Sequence, residues 1–444
     1  MGAFQVYPKH MCAHQPLLGF RDFYPDDQRV LNYMFDVMRK TALSFGFEEY
    51  SSPILESIEL LTAKSGDEII GQLFNFVDKG GRHVALRPEM TPVIARMIGE
   101  KVNAMKKPIK WFNIAENFRY ERPQKGRLRA FFQFNIDIFG ESGYRADVEI
   151  ILLTIMVMQN FGLRDFVVRL SDRCLWTLFL SAVGIEERNL TEILCVIDKI
   201  EREGREKTSA ALNKICPHVD SLLDSIVQFT AIGSVEALKK FFEARGLLGF
   251  KGISERISEL SCLIDTLAEV GVSDCIAIDF GIVRGLAYYT GFVFEFFDRD
   301  LASRALAGGG RYDSLTEKLG YDSIPAVGLA IGDVTLCDLL REKNLLPELK
   351  KNTDYFVIFD EISKNHALKL TNELRRSGFA VEYALHDVSF GKQLRMASQN
   401  GAKFALICGE NEYSAAVVKV KNLLSGNEAV TEESKLGEFL TTFQ

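Results

Sequence analysis

Residues 118–139 read FRYERPQKGRLRAFFQFNIDIF, and the second half of this stretch alternates with a period of two. Phe132, Phe134, Ile136 and Ile138 fall on one side of an extended chain, and Gln133, Asn135 and Asp137 on the other. Three polar groups in a row on so aromatic a strand do not make a core pattern, so that face is a candidate site. The first half, Arg119 to Arg129, carries five basic residues (Arg119, Arg122, Lys125, Arg127, Arg129) against one acid, Glu121. Pro123 and Gly126 mark a loop between two strands. That loop is either a solvated hairpin tip or a clamp for polyphosphate, because arginine forks match phosphate oxygens in pairs.

Two further stretches combine polar groups with strand periodicity. In ALRPEMTP (Ala85 to Pro92), Arg87, Glu89 and Thr91 share parity and are expected to project from one face. In VRGLAYYTGFVFEFF (Val283 to Phe297), Phe292, Phe294 and Phe296 make one face apolar. Arg284 shares their parity, and a guanidinium is rarely buried without an anion. It is a surface arginine at a strand end or a cation kept for an anionic ligand. Tyr288 and Tyr289 are adjacent, so on a strand they splay to opposite faces. GGGRYD (Gly308 to Asp313) reads as a glycine-rich turn; no helix opening with Lys-Ser/Thr follows, so it is not a P-loop.

At 444 residues the chain exceeds one compact core and predicts two or three domains. With 47% hydrophobic and 25% charged residues, its composition is that of a soluble globular protein. No apolar run reaches the roughly 18–20 residues of a membrane span; Ile150 to Met158 (IILLTIMVM) reads as a buried helix. The first 20 residues resemble neither a secretory signal nor a transit peptide. The 8 cysteines form no C-x-x-C pair, which argues against zinc and for reduced thiols in a cytosolic, hence cytoplasmic, protein. A net charge of -7 argues against a wholesale nucleic-acid binder but leaves room for a local basic site.

Strand signals around HVALRPE, IKWFNIAENFRYE and AFFQFNIDIFGE predict mixed helix and antiparallel sheet over the first part of the chain. Pro53 interrupts FEEYSSPILES and belongs at an edge or kink. From about Asp172 to Val272 apolar residues recur at helical spacing, which predicts a helical insertion. A polar segment, Arg341 to Asp354, suits a linker. Beyond it strands and helices alternate, with continuous apolar strands, as in a small α/β domain with a largely parallel sheet.

Taken together these stretches resemble the histidyl-tRNA synthetase family, over nearly the whole chain from Leu18 onward. FRYERPQKGRLRAFFQF is similar to motif 2 of class II aminoacyl-tRNA synthetases, and Pro53 falls at the motif 1 proline, in a segment that in this class forms the homodimer interface. GIVRGLAYYTGFVFE and LAGGGRYDSL resemble the two stretches peculiar to the histidine enzymes. The resemblance implies an α+β catalytic core on a mixed, mainly antiparallel sheet with a helical insertion, plus a C-terminal α/β domain of the anticodon-binding type. The implied boundaries are 1–171 and 273–340 for the core, 172–272 for the insertion, 341–353 for the linker and 354–444 for the last domain.

It also implies a histidine–tRNA ligase that uses ATP and Mg²⁺, with histidine and histidine tRNA as the other partners and no membrane. Arg284 and Arg119 would be catalytic, Arg284 reaching the α-phosphate and the histidine carboxylate. Glu89, Thr91, Gln133, Asp137, Arg284, Tyr288, Tyr289 and Tyr312 would bind histidine; Arg119, Glu121, Arg127 and Phe131 would bind ATP. Many family members have Glu where this chain has Asp137. Thr335 stands at the motif 3 position where an arginine is usual. Lys392 and Arg395, at helical spacing, are the expected RNA contacts of the last domain. The alternative is a synthetase-like regulatory subunit of ATP phosphoribosyltransferase; such subunits keep a histidine pocket and lose the ATP arginines, whereas Arg119, Arg127 and Arg284 are retained here.

Overall fold

The computed structural model describes residues 15–65, 67–216, 222–283, 288–300, 305–349, 351 and 353–442. It divides into two compact units, Met1–Leu346 and Pro347–Gln444.

The first unit is organised by an eight-stranded sheet. Its order is Glu48–Glu49, Ile109–Phe118, Ala130–Phe139, Ala326–Gly332, Ala307–Arg311, Phe292–Asp298, Phe166–Asp172 and Ile276–Ile278. The two outermost pairings are parallel and the others antiparallel. Ile109–Phe118 and Ala130–Phe139 form the hairpin that the alternation of FRYERPQKGRLRAFFQFNIDIF predicts. Phe134, Ile136 and Ile138 turn inward and join one hydrophobic cluster with the helices Pro25–Ser44 and Arg145–Asn160. The second helix holds the IILLTIMVM run, and its Thr154 hydroxyl is satisfied within the helix by the carbonyl of Ile150 at 2.9 Å. Phe292, Phe294 and Phe296 are each fully buried, contributing roughly 1.5–3 kcal/mol apiece.

Helices from Arg173–Ala182 to Ile253–Glu269 fill the predicted helical stretch. They share the sheet's hydrophobic cluster, through an aromatic group in which Phe229 lies 4.4 Å from Trp176 and 4.7 Å from Phe280. Arg256, on the last of these helices, bonds Asp172 at 2.5 Å and lies over the ring of Phe292. The insertion is thereby pinned behind the strand that carries the phenylalanines.

FEEYSSPILES becomes two short strands in different sheets, broken around Pro53. Leu55–Ser57 pairs with His83–Leu86, which pairs in turn with Asn75–Val77.

The second unit has a five-stranded sheet ordered Val381–Tyr383, Thr353–Phe359, Ala402–Cys408, Val417–Asn422 and Glu428–Glu432. The first three strands are parallel and apolar clusters cover both faces, hence their continuous apolar sequences. The last two strands run antiparallel, so the sheet is less parallel than the sequence reading holds. The connections explain this: a parallel crossover needs a dozen or more residues. Only the five-residue helix Glu410–Ser414 precedes Val417, and a tight turn closed by Gly426 N–H on the Asn422 carbonyl precedes Glu428.

Among the described residues, no helix is long and apolar enough to cross a membrane.

Candidate active site

The polar face of Ala130–Phe139 lines a small pocket. Asn135 and Asp137 are buried there, and Gln133 is half-buried. A chain of amides backs them: Asn117 donates to Gln133 Oε1 at 2.9 Å, and Asn135 donates to Asn113 Oδ1 at 3.0 Å. Buried amides cost free energy unless paired, so this chain fixes the row.

Tyr312 donates its hydroxyl to Asp137, and burial together with that carboxylate pushes the phenol far above its ordinary range. It therefore remains a neutral hydrogen-bond donor. The neighbouring strand makes room through glycine. A Cβ on Gly328 would meet Asp137 Oδ1 at 2.0 Å, and one on Gly309 would meet the Gly328 carbonyl at 2.2 Å. GGGRYD thus begins as a strand of close backbone approach, not the turn expected from its composition. Its Arg311 pairs with buried Asp147 and donates to the Glu141 and Gly143 carbonyls, which anchors the strand end beside Tyr312.

Tyr288 and Tyr289 both line this pocket, their ring centroids 4.5 Å apart. The expectation that they splay to opposite faces fails because the strand begins only at Phe292; alternation applies to extended chain alone. The reading of Arg87, Glu89 and Thr91 as one strand face is corrected for the same reason. The strand ends at Leu86, and Thr91 opens the helix Thr91–Lys101. Arg87 is buried and donates to the carbonyls of Ser52 and Pro53, each at 2.9 Å, so it braces the segment at Pro53. Glu89 and Thr91 do line the pocket.

A larger cleft of about 640 Å³ adjoins it, and the two share Glu89, Arg119, Gln133, Gly308 and Ala330. Arg119 donates to the Pro88 carbonyl at 3.0 Å and lies over the Phe131 ring at 5.2 Å. Arg127 pairs with Glu121 at 2.7 Å, and both face the cleft. The basic loop divides between the cleft and solvent. Arg119 and Arg127 line the cleft, Arg122 and Lys125 are exposed at the tip, and Arg129 lies over the Tyr120 ring at 4.3 Å. Thr335 lines the cleft beside Asp333. Arg284 lies outside the described residues.

Two features escaped the sequence reading. Glu295 lines the cleft together with the arginines; its signal was a lone charge in FVFEFF, on the face away from the buried phenylalanines. The buried amides Asn113 and Asn117 gave no signal beyond their parity with Ala115. Among the described residues, no three His, Cys, Asp or Glu side chains are grouped to hold a metal ion.

A family model described as histidyl-tRNA synthetase matches residues 19–335, and one described as an anticodon binding domain matches 349–444. A histidine–tRNA ligase of Opitutus terrae is 48% identical over 94% of this chain and 96% of its own length. One of Pyrococcus abyssi is 35% identical over 92% and 94%. The crystal structure of histidyl-tRNA synthetase from Nostoc sp. superposes with a TM-score of 0.79 at 25% identity, covering 98% of this chain and 100% of that one. By the extent and agreement of these matches, the chain belongs to the histidyl-tRNA synthetase family, within class II of the aminoacyl-tRNA synthetases.

Proposed function

We propose that this chain joins histidine to its tRNA in two steps. First, a histidine carboxylate oxygen attacks the α-phosphorus of ATP, and pyrophosphate leaves with the bonding electrons. A ribose hydroxyl at the 3′ end of the tRNA then attacks the carbonyl of the histidyl-adenylate and AMP departs. The observation that carries this reading is the continuity of a small polar pocket with a larger cleft lined by arginines.

In the pocket, Asp137 accepts an imidazole N–H while Tyr312 holds the carboxylate in place. Glu89 takes the substrate ammonium, Thr91 and Gln133 add hydrogen bonds, and Tyr288 and Tyr289 enclose the ring. Hydrogen bonds of this kind discriminate between side chains far better than an apolar pocket does. In the cleft, Phe131 stacks on adenine, Arg119 meets the α-phosphate, and Arg127, steadied by Glu121, meets the γ-phosphate. Arg284 is assigned to the α-phosphate and the histidine carboxylate from sequence resemblance alone. The reaction then rests on positioning and on cations where charge develops at phosphorus. Mg²⁺ fits as an ion carried by the phosphates and touched by a carboxylate such as Glu295, where it would offset phosphate charge.

The second unit serves the tRNA, with exposed Lys392 and Arg395 on the helix Phe390–Gln399 as contacts. Exposed Ile54, Leu55, Phe76 and Val77 around the three-stranded sheet support self-association as a homodimer. The protein acts in the cytoplasm, a reading supported by the free cysteines among the described residues.

Kinetics of Glu89→Gln and Asp137→Asn test the assignment. Each leaves a buried polar partner unmet, which costs about 1–3 kcal/mol or more, so histidine-dependent ATP–pyrophosphate exchange should fall by roughly ten-fold or more. Unchanged kinetics in either variant would move the histidine site elsewhere.

A further inference from the structure

Residues 17–24 lie across the hairpin where its loop joins the second strand. The Gly19 carbonyl accepts the N–H groups of Arg129 and Ala130 at 2.9 and 3.1 Å. Phe20 meets Phe74 edge-on at 5.6 Å, and Phe23 meets Phe132 at 6.1 Å. Between these rings, Arg21 Nη2 donates to Asp333 Oδ2 at 2.7 Å, a contact spanning 312 positions of sequence.

Asp333 opens the helix Asp333–Glu342 and is 2% exposed. Its other oxygen, Oδ1, accepts the backbone N–H of Phe132 at 2.9 Å. That bond has a particular place in the sheet. The ladder between Ala130–Phe139 and Ala326–Gly332 ends at the pair Gly332 and Gln133. The Phe132 N–H lies one residue beyond that pair, and the Asp333 carboxylate satisfies it in place of a further backbone carbonyl. Phe132 sits between Phe131 and Gln133, both of which line the cleft. Burial pushes the Asp333 carboxyl up, and Arg21, with the backbone N–H groups of Phe132 and Val334, works against that push; without its cation a buried carboxylate is an uncompensated charge.

We propose that Arg21 and Asp333 are positioning residues for the nucleotide: the pair extends the sheet by one side-chain rung beyond Gln133, which the ladder itself holds, and so sets where Phe131 stands in the cleft. Neither residue touches the reacting atoms in this scheme. The inference rests on the reading of the cleft as the ATP site. Loss of the rung lets the strand edge drift, and displacement by about 1 Å costs up to roughly a hundred-fold in rate. The histidine pocket lies further along the strand, where the Gly328 and Asp137 pair is flanked by ladder on both sides.

The test uses the full chain with Asp333→Asn, Arg21→Ala and Arg21→Lys. ATP–pyrophosphate exchange is measured against ATP and against histidine, beside melting temperature and calorimetric ATP binding. Asp333→Asn and Arg21→Ala should raise the KM and Kd for ATP by about ten-fold or more and leave the histidine KM nearly unchanged. Arg21→Lys keeps the charge and should recover most of the loss. A change shared equally by both substrates, or affinities that stay at the wild-type value in folded variants, would overturn the positioning role. A wild-type chain that binds ATP yet shows no exchange would instead count against the ligase reading, and the ATP Kd of the variants would still decide on the pair.

Discussion

Gly328 is the position at which the pocket's geometry makes its sharpest demand. It pairs with Asp137 across the sheet, and a Cβ there would stand 2.0 Å from Asp137 Oδ1, 2.8 Å from the Ile136 carbonyl oxygen and 2.9 Å from Asp137 Cγ. Non-bonded carbon contacts relax only near about 3.5 Å, so Gly328→Ala must push the carboxylate back by more than about 1 Å or part the strands. Asp137 is 4% exposed and has little room to retreat. The displacement breaks its bond from Tyr312; buried hydrogen bonds to charged groups contribute about 1.5–3 kcal/mol, or roughly ten- to a hundred-fold in an equilibrium. Histidine KM in pyrophosphate exchange should therefore rise by about that factor, while the KM for ATP, which we assign to the adjoining cleft, changes far less. Gly391→Ala is the control: it lies in a helix of the second unit with nothing within 4 Å of the added carbon. A folded Gly328→Ala protein with wild-type histidine KM would refute the assignment of Asp137 to the imidazole.

Two other predictions concern the scaffold. Arg256→Met strands the fully buried Asp172 without its cation, so stability should drop by about 3–5 kcal/mol; a denaturation midpoint unchanged from wild type would show the pair to be dispensable. Burial pushes the Cys408 thiol up to about 12 and that of Cys174 to about 11, whereas Cys262 is exposed. Mass mapping after brief alkylation at neutral pH should find Cys262 labelled and Cys408 untouched until denaturant is added; early labelling of Cys408 would contradict its burial.

Period-two alternation carried much of what could be read before the structure. It separated the core face of Ala130–Phe139 from its polar face, and it found the strand of Phe292, Phe294 and Phe296, because half-buried strands write their two environments directly into sequence. It failed where the chain stops being a strand. Tyr288 with Tyr289, and Arg87 with Glu89, were assigned faces by a rule that ends at Phe292 and Leu86. Glycine in GGGRYD marked close strand approach, yet composition alone cannot distinguish that from a turn. The pair of Arg21 and Asp333 had no local pattern at all, since its partners meet only through the packing of distant segments. Glu295 was visible as an anomalous charge, but only the register opposite Gly308 turned it toward the cleft.

The most direct test is ATP–pyrophosphate exchange by the purified full-length protein, run separately with each of the twenty amino acids. Pocket and cleft acting together as described predict rapid exchange with histidine and background rates with all others. Exchange driven by a different amino acid, or none with histidine although ATP binds, would contradict the central claim that this polar pocket selects histidine for adenylation.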